Sequence, residues 1–111
     1  MVWQKAMDMT VQVSGVTARF PHAEQYRLTS QLTRAAASVP ANIAEGNARG
    51  SSREYAYFLS VAKGSLMEAE TYVLLAVRLG YVEQHDVEPL LELIVEISKM
   101  LTTMRARIAR G

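Results

Sequence analysis

The sequence contains no cysteine, which excludes disulfide bonds, thiol nucleophiles and thiolate metal sites from a chain of 111 residues. Aromatic residues make up only 7% of it, and three prolines and six glycines are too few for a disordered chain. No apolar run approaches the ~20 residues that a bilayer-spanning helix needs, and no secretion signal is recognisable at the N-terminus. We therefore expect a soluble, cytoplasmic protein with no membrane partner.

Neither sign of charge is in clear excess, since 12 lysines and arginines face 11 acids. A net charge of +1 does not steer a whole molecule onto nucleic acid, so any such binding must come from local clusters. One cluster is basic and C-terminal, comprising Lys99, Arg105, Arg107 and Arg110 after the acidic stretch 83–96. It either complements the dipole of a helix or forms a docking patch.

Apolar residues, which make up half of the chain, recur at helical spacing in four segments. The four faces are Val2, Ala6, Met9, Val13, Val16 and Phe20; Leu28, Leu32, Ala35, Val39, Ile43 and Gly46; Tyr55, Leu59, Ala62, Leu66, Ala69, Val73 and Ala76; and Val87, Leu90, Ile94, Ile97, Leu101, Met104 and Ile108. No segment alternates with the period of a strand. The pattern predicts an all-α fold, an antiparallel up-down four-helix bundle, as one domain over residues 1–111.

Capping and helix-breaking residues mark the ends of the predicted helices. We expect Pro21 to end the first helix, Thr29 or Ser30 to cap the second, Gly50 to close it, Ser51 and Glu54 to open the third as a capping box, and Gly80 to end the third. Pro40 lies inside the second helix and predicts a kink there, because its ring removes one backbone hydrogen bond. Gly64, in the middle of the third helix, is expected to allow close helix packing.

Catalytic and metal-binding patterns are missing. Metal sites of helical bundles use Glu-x-x-His on facing helices, but His22 and His85 lie in predicted turns with no acid three residues before them. No serine has a histidine on a neighbouring helical turn to serve as its base. We therefore predict no catalytic residue, no metal, no cofactor and no enzymatic activity.

A polar stripe runs beside the apolar face of the second helix, and residues of the third helix could face it. The stripe comprises Gln31, Arg34, Ser38, Asn42, Glu45 and Arg49, and the facing residues are Lys63, Ser65 and Glu68. One interpretation is a structural network, in which Arg34 meets a glutamate while Ser38 and Asn42 satisfy the backbone opened by Pro40. The other is a recognition strip.

Two further features concern partners. Arg49, Arg53 and Lys63 surround the turn between the second and third helices. They either bind phosphates or are only the solvated charges of an exposed turn. The stretch 72–77 is apolar nearly all round its helix, which suggests contact with another subunit. A cyclic oligomer would repeat the basic set around a ring.

Three strings carry a family resemblance: QLTRAAASVPANIAEG at 31–46, FLSVAKGSLMEAE at 58–70 and LGY at 79–81. Together with residues 3–6 they resemble the four-helix-bundle proteins encoded in bacterial 23S rRNA intervening sequences, a family that looks related to the accessory protein of diversity-generating retroelements. The resemblance covers nearly the whole chain, with Lys63 where an arginine is common. Matching motif residues are Arg34, Ser38, Asn42, Glu45, Gly46, Gly64, Ser65 and Glu68.

The resemblance implies a ring, typically a homopentamer, with a basic surface able to bind nucleic acid; in the retroelement relatives the ring also contacts a reverse transcriptase. Our first hypothesis is therefore a non-enzymatic homo-oligomer that binds structured RNA or DNA, or a reverse-transcriptase-like protein. The candidate contacts are Arg34, Arg49, Arg53, Lys63, Arg105 and Arg107, beside a structural stripe of Gln31, Ser38, Asn42, Glu45 and Glu68. The alternative is a protein-interaction scaffold without affinity for nucleic acid.

Overall fold

The computed structural model describes residues 1–110 and contains four long helices. They are α1 (Val2–Thr17), α2 (Leu28–Ala48), α3 (Ser52–Arg78) and α4 (Gln84–Arg110), with a short 3-10 helix at His22–Glu24. No strand occurs in the described range. The all-α prediction is confirmed.

The four helices surround one apolar core. Helices α1 and α3 each pack against both α2 and α4. All four predicted apolar faces supply the core, which includes Met9, Leu32, Leu59, Leu66, Ile94 and Leu101 at full or nearly full burial. Helices α2 and α3 are antiparallel. Gln31, near the start of α2, is hydrogen-bonded to Tyr72, near the end of α3, and Ser38, in the middle of α2, is hydrogen-bonded to Ser65, in the middle of α3. The up-down arrangement of the whole bundle stays a prediction.

Helix α2 begins differently from the prediction. Thr29 and Ser30, the predicted caps, lie inside the helix, which starts at Leu28 without a capping side chain from Arg27. The N–H of Leu28 donates to Glu24 Oε1 at 3.3 Å, so a carboxylate from the preceding 3-10 helix serves this helix end. Glu24 is buried, with 8% of its surface exposed, and its other oxygen accepts a hydrogen bond from the Tyr81 hydroxyl. The carboxylate thereby ties the start of α2 to the turn between α3 and α4.

This contact makes stability depend on pH. The hydrogen bond from Tyr81, helped by the Leu28 N–H and Arg27, holds the pKa of Glu24 below its usual value. Since the folded pKa is depressed, the stabilisation is present above the ordinary pKa of glutamate, about 4.3, and is lost as pH falls through the lowered value. We expect Glu24→Gln to flatten the fall of the unfolding free energy in this acidic range, measured by urea denaturation at several pH values. Glu88→Gln, which changes an exposed glutamate, should keep the wild-type slope; equal slopes for both variants would contradict the prediction.

Pro40 lies inside an unbroken α2, and its predicted kink stays a prediction. Because Pro40 has no N–H, the carbonyl of Ala36 lacks its helical donor. Thr10 Oγ1 of α1 lies 3.2 Å from that carbonyl oxygen and 2.9 Å from the carbonyl of Ala6, so its single proton can be donated to either oxygen or shared between them. The opened backbone is thus satisfied from α1, and not by Ser38 or Asn42 as expected.

The turn between α2 and α3 follows the prediction closely. Gly50 adopts φ +85°, a left-handed conformation that favours glycine, and ends α2. Ser51 caps α3, since its Oγ accepts from the Glu54 N–H at 3.1 Å. The same hydroxyl lies 3.2 Å from Glu54 Oε1, to which it can donate. Gly80, at φ +78°, ends α3 in the same manner as Gly50 ends α2.

Close packing between α2 and α3 occurs at Gly46, and not at Gly64. A Cβ placed on Gly46 would lie 2.8 Å from Phe58 Cβ and 3.0 Å from Tyr55 Cδ1. A Cβ on Gly64 would meet nothing within 4 Å, and that residue is exposed. The predicted packing role of Gly64 is therefore wrong for the protomer.

Candidate functional site

Positive charge is concentrated in one half of the bundle, which we call the basic end and define as residues 1–8, 38–65 and 96–110. These segments meet there, because Trp3, Asn47, Tyr55 and Arg107 line one common groove. The basic end carries eight lysines and arginines and four acidic residues, which gives a net charge of +4. The remaining residues carry four arginines and seven acidic residues, which gives a net charge of −3. The fold thus converts a nearly neutral chain into a molecule with a strong charge separation.

Five of the six predicted basic residues lie at the basic end, and Arg34 lies in the other half. The five are Arg49, Arg53, Lys63, Arg105 and Arg107. Arg34 is exposed on α2 and forms no salt bridge within residues 1–110, so the glutamate partner expected for it is absent there.

Lys63 and Arg105 share a groove between α3 and α4, of about 410 Å³. The Lys63 ammonium donates to Thr102 Oγ1 at 2.6 Å, which holds it over the groove. Arg105 follows Thr102 by one helical turn and has no acidic partner among the described residues. The exposed Gly64 adds open space beside the two cations. The groove can therefore admit an anion without displacing a carboxylate.

Arg49 is engaged within the protein, unlike Arg53. Its guanidinium lies 2.8 Å from a Glu45 oxygen and 3.8 Å from one of Glu54, and it stacks over the Phe58 ring at 5.1 Å. Two carboxylates thus offset its charge. Arg53 is exposed and forms no salt bridge within the described chain, and so presents its full charge to solvent.

The centre of the polar stripe is a half-buried hydrogen-bond network between α2 and α3. The hydroxyls of Ser38 and Ser65 lie 2.9 Å apart. The Asn42 amide donates to the carbonyl of Ser38 at 2.8 Å and to its hydroxyl at 2.9 Å. These three side chains satisfy one another and leave little for an external ligand.

The two ends of the stripe are more exposed. The Tyr72 hydroxyl donates to Gln31 Oε1 at 3.1 Å and lies 3.3 Å from Glu68 Oε2. Burial, followed by the nearby charge of Glu68, raises the pKa of Tyr72, so the phenol stays protonated at neutral pH. Glu45, at the other end, is paired with Arg49. The stripe therefore connects α2 to α3 at Gln31, at Ser38 and, through the Glu54 carboxylate, at Arg49.

Asn42→Ala tests whether the centre of the stripe stabilises the fold. The substitution removes two donated bonds and leaves the hydroxyl pair of Ser38 and Ser65 without its neighbour, so we expect the unfolding free energy to fall by about 1–2 kcal/mol. Chemical denaturation measures this change, and nucleic-acid affinity should stay unchanged. Intact stability with lost affinity would favour the recognition strip instead.

Large apolar side chains are exposed on two helices that do not touch each other. Leu74 and Leu75 of α3 and Leu79, which directly follows it, are 41–50% exposed, and Met7 and Val11 of α1 are 42% and 70% exposed. Because α1 and α3 face each other across the core, the two apolar patches lie on different sides of the protomer. Exposed apolar patches of this kind mark protein contacts.

The histidines do not gather a metal site of Glu-x-x-His type within the described chain. His85 and Asp86 lie in the first turn of α4 and Glu83 directly precedes that helix; the ligand atoms of the three residues lie within 4.8 Å of one another. Asp86 already accepts from the Glu83 N–H at 3.0 Å and pairs with Arg19 at 3.3 Å. The cluster is therefore accounted for by contacts at the start of α4. None of the helices over residues 1–110 combines the length and apolarity needed to cross a membrane.

Comparison with known proteins decides the family. The model of the 23S rRNA-intervening sequence protein family matches residues 1–103. The chain belongs to this family. A crystal structure of a protein of unknown function from the S23 ribosomal protein family of Bacteroides thetaiotaomicron VPI-5482 has a similar fold, with a TM-score of 0.87 at 22% identity over 95% of this chain and 98% of that one. None of the curated proteins matches the chain.

Sequence reasoning missed some exposed residues of the basic end as candidate contacts. Trp3 and Tyr57 were not among the candidate contacts, and they are 42% and 63% exposed. Trp3 lines the same groove as Arg107 and as Lys99, which the sequence had indicated only as part of the C-terminal basic cluster. Trp3 lies on α1, whereas Lys99 and Arg107 lie on α4, so helical spacing within one element does not show that Trp3 shares their groove.

Proposed function

We propose that this member of the 23S rRNA-intervening sequence family is a non-enzymatic, cytoplasmic homo-oligomer that binds structured RNA or DNA through its basic end. The observation that carries the proposal is the charge separation, net +4 at one end against −3 at the other. Phosphate binding draws on such local fields even where the whole chain is nearly neutral. The candidate contacts are Arg53, Lys63, Arg105 and Arg107, none of which forms a salt bridge within residues 1–110.

Oligomerisation would bring several basic ends together. The two apolar patches, on α3 and on α1, differ from each other, and two different patches on opposite sides suit a head-to-tail contact that closes into a ring. The resemblance implies a pentamer. Light scattering on the purified protein should give about five times the protomer mass; a monomer mass would remove both the ring and the repeated basic surface.

The proposal is tested by titrating a labelled structured RNA and a labelled duplex DNA with the protein at low and near-physiological salt. We expect binding whose equilibrium constant falls steeply as salt rises, because phosphate contacts release condensed counterions. Absence of binding at both salt concentrations would reject the nucleic-acid proposal.

A protein-interaction scaffold is the second candidate, and the exposed leucines of α3 favour it. A reverse-transcriptase-like protein is one such partner, as the resemblance implies. Tight binding of a protein partner without affinity for RNA or DNA would support the scaffold.

A further inference from the structure

The basic end carries a groove of about 850 Å³ that has no role in the packing of the core or in the charge separation described above. We call it the end groove; its lining residues come from the start of α1, the end of α2, the start of α3 and the end of α4. The groove lies beside the first residues of α1, where Lys5 pairs with Glu96 and α4 continues to Arg110.

Aromatic and apolar side chains form most of the lining. Trp3 is 42% exposed and Tyr55 half-buried, and the thioethers of Met100 and Met104 lie with them. Flat, polarisable rings that line a groove suit a flat aromatic ligand, since every nucleobase has a π-face that can stack on them.

The polar lining has one sign of charge. Lys99 and Arg107 are the charged members, and no acid lines the groove. Asn47 and Thr103 add an amide and a hydroxyl, and neither side chain forms a hydrogen bond within residues 1–110. The chemistry is that of a site for an aromatic group attached to an anion.

We propose that the end groove binds an unpaired nucleotide of RNA or DNA. The base stacks against Trp3 and Tyr55, the amide of Asn47 contacts its edge, and Lys99 and Arg107 bind the adjoining phosphates. The volume lies within the ~300–1,000 Å³ of small-ligand sites, enough for one or two nucleotides and not for a duplex, whose bases are already stacked. This inference rests on the proposed nucleic-acid function and adds a preference for unpaired segments.

Trp3 reports on the groove directly, because it is the single tryptophan of the chain. Wild-type protein is titrated at low salt with a single-stranded oligoadenylate and with a duplex of the same strand length, and tryptophan emission is followed. We expect the single strand to change the emission to saturation. The duplex should bind, as fluorescence anisotropy of a labelled strand shows, with little change in emission.

A variant pair adds an affinity test. Trp3→Ala should weaken oligoadenylate binding about tenfold, the loss expected for one stacked base, and leave duplex binding unchanged. Tyr26→Ala is the control, because it removes an aromatic side chain that is 87% exposed in the other half of the protein. Circular dichroism and light scattering confirm that both variants keep the wild-type fold and mass.

Three results would overturn the inference. Equal effects of Trp3→Ala on single strand and duplex, or equal emission changes with both, would remove the preference for unpaired nucleotides. An acidic helical peptide that changes the emission where oligoadenylate does not would make the end groove a peptide site. Binding of neither nucleic acid would reject the proposed function as well, which distinguishes the two failures.

Discussion

Reversing the charge at Arg53 and Arg105 is expected to lower the affinity for structured RNA at low salt by about tenfold or more. Both arginines are exposed at the basic end and have no acidic partner in the described chain, so their loss removes phosphate contacts without breaking an internal ion pair. In a ring, every subunit loses them together. The plot of log affinity against log salt should also lose slope, by about one for each phosphate contact removed in the complex.

The double variant Arg53→Glu/Arg105→Glu needs a control that changes the formal charge equally. Arg34→Glu/Arg78→Glu serves, because both residues are exposed in the acidic half and form no salt bridge within residues 1–110. Anisotropy titrations of the two variants at several salt concentrations separate a local effect from a net-charge effect. Equal losses in both would mean that the basic end is not the binding surface.

Gly46→Ala is expected to destabilise the protein by about 1–2 kcal/mol. An added Cβ would lie 2.8 Å from the Cβ of Phe58, an atom fixed to the backbone of α3, so α2 and α3 must move apart. Overpacking of this kind costs about 1–3 kcal/mol, and the higher helix propensity of alanine offsets up to about 1 kcal/mol of it. Urea denaturation of the purified variant measures the change.

Gly64→Ala is the matched control, since it makes the same chemical change in α3 where nothing lies within 4 Å. It should raise the unfolding free energy of the protomer by up to about 1 kcal/mol. A destabilised Gly64→Ala together with an unchanged Gly46→Ala would show that the close contact is elsewhere. A normal protomer stability with a lower oligomer mass for Gly64→Ala would place this glycine at a subunit contact.

The predicted helix ends show which local signals suffice. Gly50, Ser51, Glu54 and Gly80 were assigned correctly because each acts through its own backbone or through a neighbour within one turn. The start of α2 was assigned wrongly, because Glu24 supplies the acceptor from outside the helix and is held in place by Tyr81, 57 residues away. A long-range hydrogen bond leaves no trace in a short sequence window.

The two glycines show the same distinction. Gly46 and Gly64 both interrupt amphipathic helices and cannot be told apart by sequence. Gly46 nevertheless contacts the facing helix, whereas Gly64 faces open space. Which of them permits close packing depends on how α2 and α3 are rotated against each other, and that rotation is decided by the whole core.

By itself the sequence determined the all-α class and the four inward faces, because helical periodicity and local capping depend on neighbouring residues. The family was indicated by the resemblance of the strings at 31–46, 58–70 and 79–81, and the family model confirms it. Only the tertiary structure decided that Arg53, Lys63, Arg105 and Arg107 share one end of the bundle and that Arg34 does not. It also decided that Trp3 meets Lys99 and Arg107 at the end groove. The physical reason is that a local electric field or a groove is formed by side chains that are close in space. Side chains from different helices become neighbours only after the helices have packed around a common core.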